Sequence, residues 1–581
     1  MRTTNNFVSG LLLSALFLLP VSVCAAELQP FFTLKTSSVN TLVSVAEKIA
    51  TLADVADDPF FRDIVKNTKN AKGFDLNGFI GFAAAVNENG NINPIMLLPI
   101  ADLWKVEIPD YPDVFDSIRP FLVKRGADRT DINTPFGLNY VALQKQGYLV
   151  ITSEDAVEQL PADPRTLFAD LEKFTLGYKL DLEKVEFETL EANLFAPFMF
   201  MAMMQNPNVG EQLESVIELY RELYKEFSLL SYGIVFEPKS ADVELGYSVG
   251  VRKSSDFAKL FIGYKQQPTF FKGFRGVPGN TVFSTGDSST YGKVDFENNH
   301  LMATYEKQWE ALGEGIREQV ALEDESGEIT ELVNKLTDSV LKIVEIEMGR
   351  GANDSALSFN TEGTLLAAMD VGSLAEIKDF VAMLVDFGGE KIDSIAAELN
   401  IDIKASVMQN YATIEGFKVS SFKVPMDKLA PFFSDTMEGL KDFSPGIFWA
   451  VKDAGGKQAI TVAMGLDFAK TEQAFKSALE QTKTSAPVQK PMMGMSIQEL
   501  GKFLQQTVYP IAEKTDIPNA AKAKKVIDIL ASAGNEATAT LDVNVTPGKV
   551  DASFRISGKV MEAIVSVIKI MAEQARAAQD F

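Results

Sequence analysis

The sequence predicts an α+β protein whose antiparallel β-sheets are built from repeated β-hairpin–helix units. Two observations carry this prediction. Two alternating, β-prone runs repeatedly meet at a turn rich in Gly, Asn, Asp or Pro, which is the pattern of a hairpin. A Ser or Asp then precedes apolar residues spaced three and four apart, which is the pattern of a capped amphipathic helix. Hairpins covered by helices on one apolar face favour antiparallel sheets.

The hairpin–helix unit recurs seven times in the 581 residues. The copies begin near residues 79, 137, 231, 356, 410, 446 and 536. Because the spacing is irregular, a solenoid of fixed period is not predicted. The copies form two series, which predicts two related lobes over residues 26–280 and 351–581, joined by a mainly helical connector over 281–350.

The N-terminal segment, residues 1–25, has the pattern of a secretory signal peptide. Arg2 is its only charged residue, and the apolar run LLLSALFLLPVSV is followed by small residues. Val23 and Ala25 suit cleavage after Ala25, and the run is too short to span a membrane. Cys24 raises lipidation as an alternative, but Val23 stands where lipoprotein signals carry Gly, Ala or Ser. We therefore expect export to the periplasm or the extracellular space.

The charge balance argues against one class of partner. The chain has 79 acidic and 55 basic residues and a formal net charge of −24. Nucleic-acid binding needs a basic patch and is not predicted. No second apolar run reaches the ~20 residues of a transmembrane helix, so no integral membrane segment is expected in the mature chain. Cleavage after Ala25 would remove the single cysteine, and with it disulfides and thiol chemistry.

Several elements of the first lobe can be placed individually. Helix-forming spacing is predicted in PDVFDSIRPFLVKR after the first hairpin, and Ser153 is placed to cap the helix after the second. Ser254 or Ser255 is placed to cap the helix after the third. A further helix is predicted from Glu186 to Leu229, with a break at Asn206-Pro207.

The stretch LFAPFMFMAMM, Leu194 to Met204, has no polar side chain. Eleven residues span about 16 Å as a helix, which is half of the apolar thickness of a bilayer. Core packing is favoured, with an exposed apolar contact surface or a thioether Cu(I) site as alternatives; no His or Cys in the stretch completes a metal site. The candidate ligand-binding residues are Phe195, Phe198, Met199, Met203 and Met204.

A second methionine cluster, PMMGMS at 491–496, lies in TSAPVQKPMMGMS, a stretch containing Pro, Ser and Thr. This composition predicts a linker or mobile loop that could touch a partner.

The sequence Gly246-Tyr247-Ser248-Val249-Gly250 matches the G-x-S-x-G pattern of a nucleophile elbow. That motif requires a strand, a sharp turn and a helix, whereas here the alternation continues through the motif and puts Ser248 in mid-strand. The only possible histidine base is His300, on the flank of a predicted helix face. With one histidine, no mature cysteine and no phosphate-binding glycine loop, no cofactor and no metal site are predicted. Catalysis by a carboxylate pair stays open.

The segments AKGFDLNGFIGFAAAVNENG and YLVITSEDAVEQLPADPRTLFADL, with FWAVKDAGGKQAITVAMGLDFAKTEQAFKSALE in the second half, resemble a group of large exported proteins of planctomycete-type bacteria. The resemblance lies in apolar and turn positions. It implies an exported, repeat-built protein of unassigned activity and transfers no active-site residue.

An inventory poor in catalytic groups and rich in Phe and Met favours a non-enzymatic envelope protein. Sheets covered by helices on one face can enclose an apolar cavity, so the expected partner is an apolar small molecule or an envelope protein. One alternative is a secreted hydrolase using Ser248 or a carboxylate pair. Another is a purely structural envelope component that assembles through loops such as PMMGMS.

Overall fold

The computed structural model of the protein is a mixed α+β structure in which the strands within each unit pair antiparallel, which confirms the predicted class. The chain divides into two compact units, unit 1 over Met1–Ser255 and unit 2 over Asp256–Phe581. The structure describes residues 29–53, 56–87, 90–107, 119–133, 139–192, 210–276, 279–292, 328–398, 406–424, 426, 443–454, 457–485, 492–514 and 520–579.

In unit 1 the strands pair in the order β10-β9-β8-β1-β2-β3-β7-β6-β5-β4. The strands are β1 (Pro30–Ser38), β2 (Phe79–Val86), β3 (Ile92–Leu98), β4 (Leu122–Lys124), β5 (Arg129–Asn133), β6 (Asn139–Lys145), β7 (Tyr148–Ser153), β8 (Leu176–Asp181), β9 (Phe227–Phe236) and β10 (Val243–Val251). The helices are α1 (Val39–Ala53), α2 (Pro59–Asn70), α3 (Phe187–Leu190) and α4 (Gly210–Glu226), with longer 3-10 segments at Glu154–Gln159 and Pro164–Leu171.

In unit 2 ten strands pair in the order β21-β20-β19-β12-β13-β14-β18-β17-β16-β15, and the short β11 pairs with β12. The strands are β11 (Lys265–Gln266), β12 (Thr281–Thr290), β13 (Ala352–Asn360), β14 (Thr364–Asp370), β15 (Ser406–Ile414), β16 (Phe417–Lys423), β17 (Gly446–Ala454), β18 (Lys457–Gly465), β19 (Met492–Ser496), β20 (Thr538–Thr546) and β21 (Lys549–Ile556). The helices are α5 (Asp256–Ile262), α6 (Glu328–Gly349), α7 (Leu374–Glu398), α8 (Phe468–Glu480), α9 (Ile497–Phe503), α10 (Tyr509–Lys514), α11 (Ala520–Ala531) and α12 (Gly558–Gln579).

The two units have the same strand order. Adding eleven to each strand number of unit 1 gives the order of the ten strands of unit 2. Strand β1 lies between β2 and β8, and β12 lies between β13 and β19. Each of the seven predicted hairpins is also paired: β2–β3, β6–β7, β9–β10, β13–β14, β15–β16, β17–β18 and β20–β21.

Turn residues fix two of these hairpins. Gln146-Gly147 and Glu415-Gly416 both have positive φ at the two central positions, at 50° and 79° and at 50° and 83°. Two such residues make a type I′ turn, whose twist matches that of the flanking strands. Glycine at the second position adopts this conformation without the steric cost of a Cβ.

The cores of the two units are apolar clusters in which helical segments cover one face of the sheet. In unit 1, Phe168 from the 3-10 segment packs on Ala83 and Val150. In unit 2, Phe475 of α8 packs on Phe448 of β17 and on Phe274, with ring centroids 6.1 and 6.2 Å apart. Helix α8 follows directly on the β17–β18 hairpin, whereas the 3-10 segment with Phe168, Pro164–Leu171, is separated from β7 by the segment Glu154–Gln159.

On β1, two polar side chains are more buried than two apolar ones. Its polar residues Thr33 and Lys35 are buried, with 6% and 7% of their surface exposed, while Phe32 and Leu34 are only half-buried. The Lys35 Nζ lies 4.7 Å from the centroid of the Phe79 ring. Desolvation lowers the pKa of Lys35, against the opposing effect of Glu172. The face of β1 that carries Phe32 and Leu34 is therefore partly exposed to solvent.

Three sequence predictions about local structure were wrong. The helix predicted in PDVFDSIRPFLVKR cannot include Leu122–Lys124, which form β4 and pair with β5; residues 108–118 lie outside the described part. Ser153 does not cap the 3-10 segment that follows it, because its hydroxyl is buried and bonds the Asn93 side chain at 3.2 Å. Residues 281–290, placed in a mainly helical connector, form β12 instead.

PMMGMS was also wrongly predicted as a loop. Met492–Ser496 form β19, which pairs with β12 on one side and with β20 on the other. The sequence window is short and contains Gly494, so its strand character comes from two partners that are distant in the chain. Residues 1–28, with the predicted signal peptide, lie outside the described residues. In the described part of the chain, no helix has the length and hydropathy needed to cross a membrane.

Candidate functional site

The predicted site residues fall into two groups. Phe195, Phe198, Met199, Met203 and Met204 lie outside the described residues, as does His300. Ser248 is described and lies in the middle of β10, opposite Ser231 of β9. The pairing of β9 with β10 runs from Val243 to Val251, so no sharp turn presents the hydroxyl.

The two glycines of the G-x-S-x-G motif have a packing role. A Cβ on Gly246 would lie 3.0 Å from the Phe174 ring, and a Cβ on Gly250 would lie 2.9 Å from Leu229 Cβ. Contacts this close leave no room for a larger residue at either position. Close packing on a strand therefore explains the two glycines of the motif, and a nucleophile elbow is not needed to explain them.

We expect a fluorophosphonate probe to leave Ser248 unlabelled. An unactivated serine is a weak nucleophile, and a strand that is paired along its whole length lacks the sharp turn that a nucleophile elbow requires. Labelling would be measured by peptide mass spectrometry, with a serine hydrolase in the same reaction as the positive control. Stoichiometric modification of Ser248 would contradict this expectation.

Phe174 packs over a row of three glycines in neighbouring strands. Gly177, Gly233 and Gly246 are in register across β8, β9 and β10. A Cβ on Gly233 would lie 2.2 Å from two atoms of the Phe174 ring, and one on Gly177 would lie 2.8 Å from it. The ring thus lies directly on the sheet, on the same face as Lys35.

The opposite face of the same strands carries a row of large side chains, which we call the tyrosine row. Its members are in register across β2, β1, β8, β9 and β10: Phe82, Leu34, Tyr178, Tyr232 and Tyr247. Tyr178 and Tyr232 have ring centroids 5.9 Å apart, and Phe32 beside Leu34 stacks on Tyr178 at 6.4 Å. Such cross-strand aromatic pairs stabilise a sheet.

The tyrosine row is partly open to solvent. Tyr178 and Tyr247 are 38% and 44% exposed, and the neighbouring Ile80 and Leu176 are 38% and 42% exposed. Partial burial raises the pKa of Tyr247, with a smaller contribution from Tyr178. Along these five strands, the charged residues Lys35, Lys179, Asp181 and Glu244 all alternate onto the glycine face. The open face is apolar except for Thr36, Ser228 and the phenol hydroxyls.

Unit 2 has a corresponding row, which we call the unit 2 row. Its members are in register across β13, β12, β19, β20 and β21: Leu357, Thr285, Met493, Leu541 and Phe554. A cavity of about 240 Å³ lies on this row and is partly open. Its predominantly apolar lining includes Leu357, Met493, Leu541 and Val543.

Asp287 forms a polar edge of this cavity. Its Oδ2 accepts hydrogen bonds from Tyr291 Oη and Ser289 Oγ, both at 2.6 Å, and from Asn353 Nδ2 at 3.2 Å. Its Oδ1 is shielded from solvent and has no hydrogen-bond partner in the structure described. Burial raises the pKa of Tyr291 well above its usual value, and the bond to Asp287 adds to the shift.

Arg275 lies against the backbone of Gly286, next to Asp287. A Cβ on Gly286 would lie 2.7 Å from Arg275 Nε. Desolvation lowers the pKa of Arg275, and the charges of Asp354 and Asp287 oppose that shift. Asp354 is buried and accepts hydrogen bonds from Thr269 Oγ1 at 2.7 Å and from the Phe270 amide at 2.9 Å. The strand register places Gly286 and Asp354 on one face of the sheet and Asp287 on the other, so Arg275 lies on the face of Asp354.

A second cavity, of about 200 Å³, lies on the glycine face of unit 1. Its charged groups compensate one another: Lys179 Nζ is 2.5 Å from Asp170 and 3.9 Å from Asp181, and Lys184 Nζ is 3.6 Å from Asp181. Because two lysines pair with two aspartates, these groups give the cavity no net charge that would attract an ionic ligand. Within the described residues, no cluster of three or more His, Cys, Asp or Glu could hold a metal ion.

Comparisons with protein-family models, with curated proteins and with solved structures found no match to this chain. The chemistry of the protein is therefore inferred from the two rows. Sequence reasoning missed both rows, because each joins strands from distant parts of the chain. The one local signal was the alternation in LGYKLD and VELGYSVGV, which places Tyr178 and Tyr247 opposite the glycines.

Proposed function

We propose that the protein is an exported, non-enzymatic protein that binds an apolar ligand in the cavity of unit 2. The observation that carries this proposal is the partly open cavity of about 240 Å³ over Leu357, Met493, Leu541 and Val543. A concave, apolar site with a few polar groups is the usual form of a small-molecule site. Export rests on the N-terminal pattern around Arg2 and Ala25.

The size of the cavity limits the ligand. A dry cavity of roughly 150 Å³ accommodates benzene, and drug-sized ligands occupy roughly 300–1,000 Å³. At about 240 Å³ the cavity suits one short acyl chain or one ring. A ligand of this kind with a hydrogen-bonding end group would place that group near Asp287.

The alternative functions have less support. A hydrolase using Ser248 would need an activated serine, and Ser248 lies in an extended strand. Assembly through an exposed PMMGMS loop has little support, because Met492–Ser496 form a strand that pairs with β12 on one side and with β20 on the other. The carboxylate pair stays a hypothesis without a specific residue assignment.

We also propose that the two units are related lobes of hairpin–helix units. The shared strand order supports this relation, as do the helices α5, α7, α8 and α12, each of which follows a hairpin. The resemblance to exported planctomycete-type proteins agrees with such an architecture.

Binding of radiolabelled 1-decanol in equilibrium dialysis tests the proposed function. We expect saturable binding, and affinity should increase by about fourfold per methylene from 1-hexanol upwards until the chain outgrows the cavity, because burying one methylene contributes about 0.8 kcal/mol. The variant Met493→Glu should weaken binding by at least about tenfold, since a charge in an apolar site opposes an apolar ligand.

Met408→Glu is the matched control, because Met408 is 40% exposed on β15, well separated in strand order from β19. It introduces the same charge and should keep the wild-type affinity. Met493→Phe reduces the cavity without adding charge and should also weaken binding, which guards against a folding defect in the charged variant. Equal binding by all four proteins, or no saturable binding at all, would rule out the cavity as the site.

A further inference from the structure

We infer that the chain carries two copies of one binding site, and that the copy in unit 1 is the tyrosine row, which binds a second uncharged alkyl-chain ligand. This inference rests on the proposed function of the unit 2 cavity. It adds a site, a ligand stoichiometry and a set of residues that the proposed function does not include.

The first argument is the position of the two rows within the two units. Each row crosses five strands, and the strands correspond one to one: β2, β1, β8, β9 and β10 in unit 1, and β13, β12, β19, β20 and β21 in unit 2. The first long strand of each unit, β1 or β12, pairs with a strand that follows a helical segment, β8 or β19. The rows therefore occupy the same place in the same topology.

The second argument is the exposure of apolar side chains at that place in unit 1. Four residues on this face, Ile80, Leu176, Tyr178 and Tyr247, keep between 38% and 44% of their surface exposed. The same strands bury Thr33 and Lys35 on the other face. A contiguous exposed apolar patch on a strongly acidic chain is typical of an interaction surface.

The chemistry of the face selects the ligand. Across five strands spaced about 4.8 Å apart, the row extends over roughly 19 Å. Its Phe82 end packs against the buried Leu182, Val185 and Leu190, so the part open to a ligand is the end with Tyr178 and Tyr247. The face has no acidic or basic side chain in the described strands, so it offers no counter-charge for an ion. A glycan would need several polar side chains for its hydroxyl groups, and here only Thr36, Ser228 and the phenols could supply them. An uncharged alkyl chain lying across the rings is therefore the ligand that best matches the apolar side chains of this face.

Protection of tyrosines from nitration in the wild-type protein tests this inference. Tetranitromethane would be used with and without 1-decanol, and the modification rate of each tyrosine would be measured by mass spectrometry. At a ligand concentration ten times the dissociation constant, Tyr178 and Tyr247 should react about tenfold more slowly, following the factor 1 + [L]/Kd. Tyr220 on α4, which is 48% exposed, is the internal reference and should be unaffected. Each tyrosine is compared with itself, so differences in intrinsic reactivity cancel.

The same measurement on Met493→Glu separates the two proposals. Protection of Tyr178 and Tyr247 in both proteins, with two molecules of 1-decanol bound to wild type and one to the variant, is the result expected from two sites. Unchanged nitration of Tyr178 and Tyr247 while the unit 2 cavity still binds 1-decanol would overturn the second site and leave the proposed function intact. No binding and no protection in either protein would overturn both.

Discussion

Replacing Gly233 with alanine should lower the free energy of unfolding by about 3 kcal/mol or more, at the upper end of the cost of overpacking. The new Cβ would lie 2.2 Å from two atoms of the Phe174 ring. Ring rotation cannot relieve this contact, because one of the two atoms is Cγ, which lies on the rotation axis, and Phe174 is buried. Urea denaturation followed by circular dichroism would measure the change.

Two comparisons make the Gly233 result specific. Gly126→Ala is the control in the same unit, because no atom lies within 4 Å of the added Cβ, and it should change stability by less than about 0.5 kcal/mol. In a Phe174→Ala background, Gly233→Ala should cost much less than in the wild type, with a coupling of about 1–3 kcal/mol. Additive effects of the two substitutions would show that the ring is not the reason for the glycine.

The hairpins could be predicted from the sequence because their signals are local. Alternation and turn residues within about 25 positions specified seven strand pairs, and turns such as Gln146-Gly147 fix their register. The order in which hairpins join could not be predicted in the same way. Strand β1 ends at Ser38 and β8 begins at Leu176, and no local pattern specifies that Leu34 pairs with Tyr178.

Single motifs could be interpreted only in part, for the same reason: the alternation correctly predicted that Ser248 lies in mid-strand, but it could not predict what the glycines of the motif contact. The G-x-S-x-G match contains glycines whose role is explained by Phe174 and Leu229, which lie outside the motif. PMMGMS became a strand because β12 and β20 supply partners on both sides. Side-chain packing between distant segments explains these residues better than reactive chemistry does, and the same distant pairing creates the apolar rows.

Replacing Arg275 with methionine should lower the free energy of unfolding by about 1–3 kcal/mol at pH 7, because the buried Asp354 loses a positive charge while the desolvation of Arg275 is relieved in part. Methionine keeps much of the length of the side chain but removes the cation whose charge interacts with the charges of Asp354 and Asp287. Asp354 is 7% exposed, so water cannot replace the lost charge. Its hydrogen bonds from Thr269 and Phe270 would remain but would not neutralise it.

A double-mutant cycle with Asp354→Asn tests the electrostatic explanation. In the Asp354→Asn background the deficit of Arg275→Met should be clearly smaller, because the buried carboxylate is absent. Arg125→Met is the matched control, because the Arg125–Asp131 pair has a 2.6 Å contact but an arginine side chain that is 58% exposed. An exposed pair contributes about 0–1 kcal/mol, so this control should show a small change. A deficit of Arg275→Met that is the same in both backgrounds would assign the role of Arg275 to packing against Gly286 rather than to its charge.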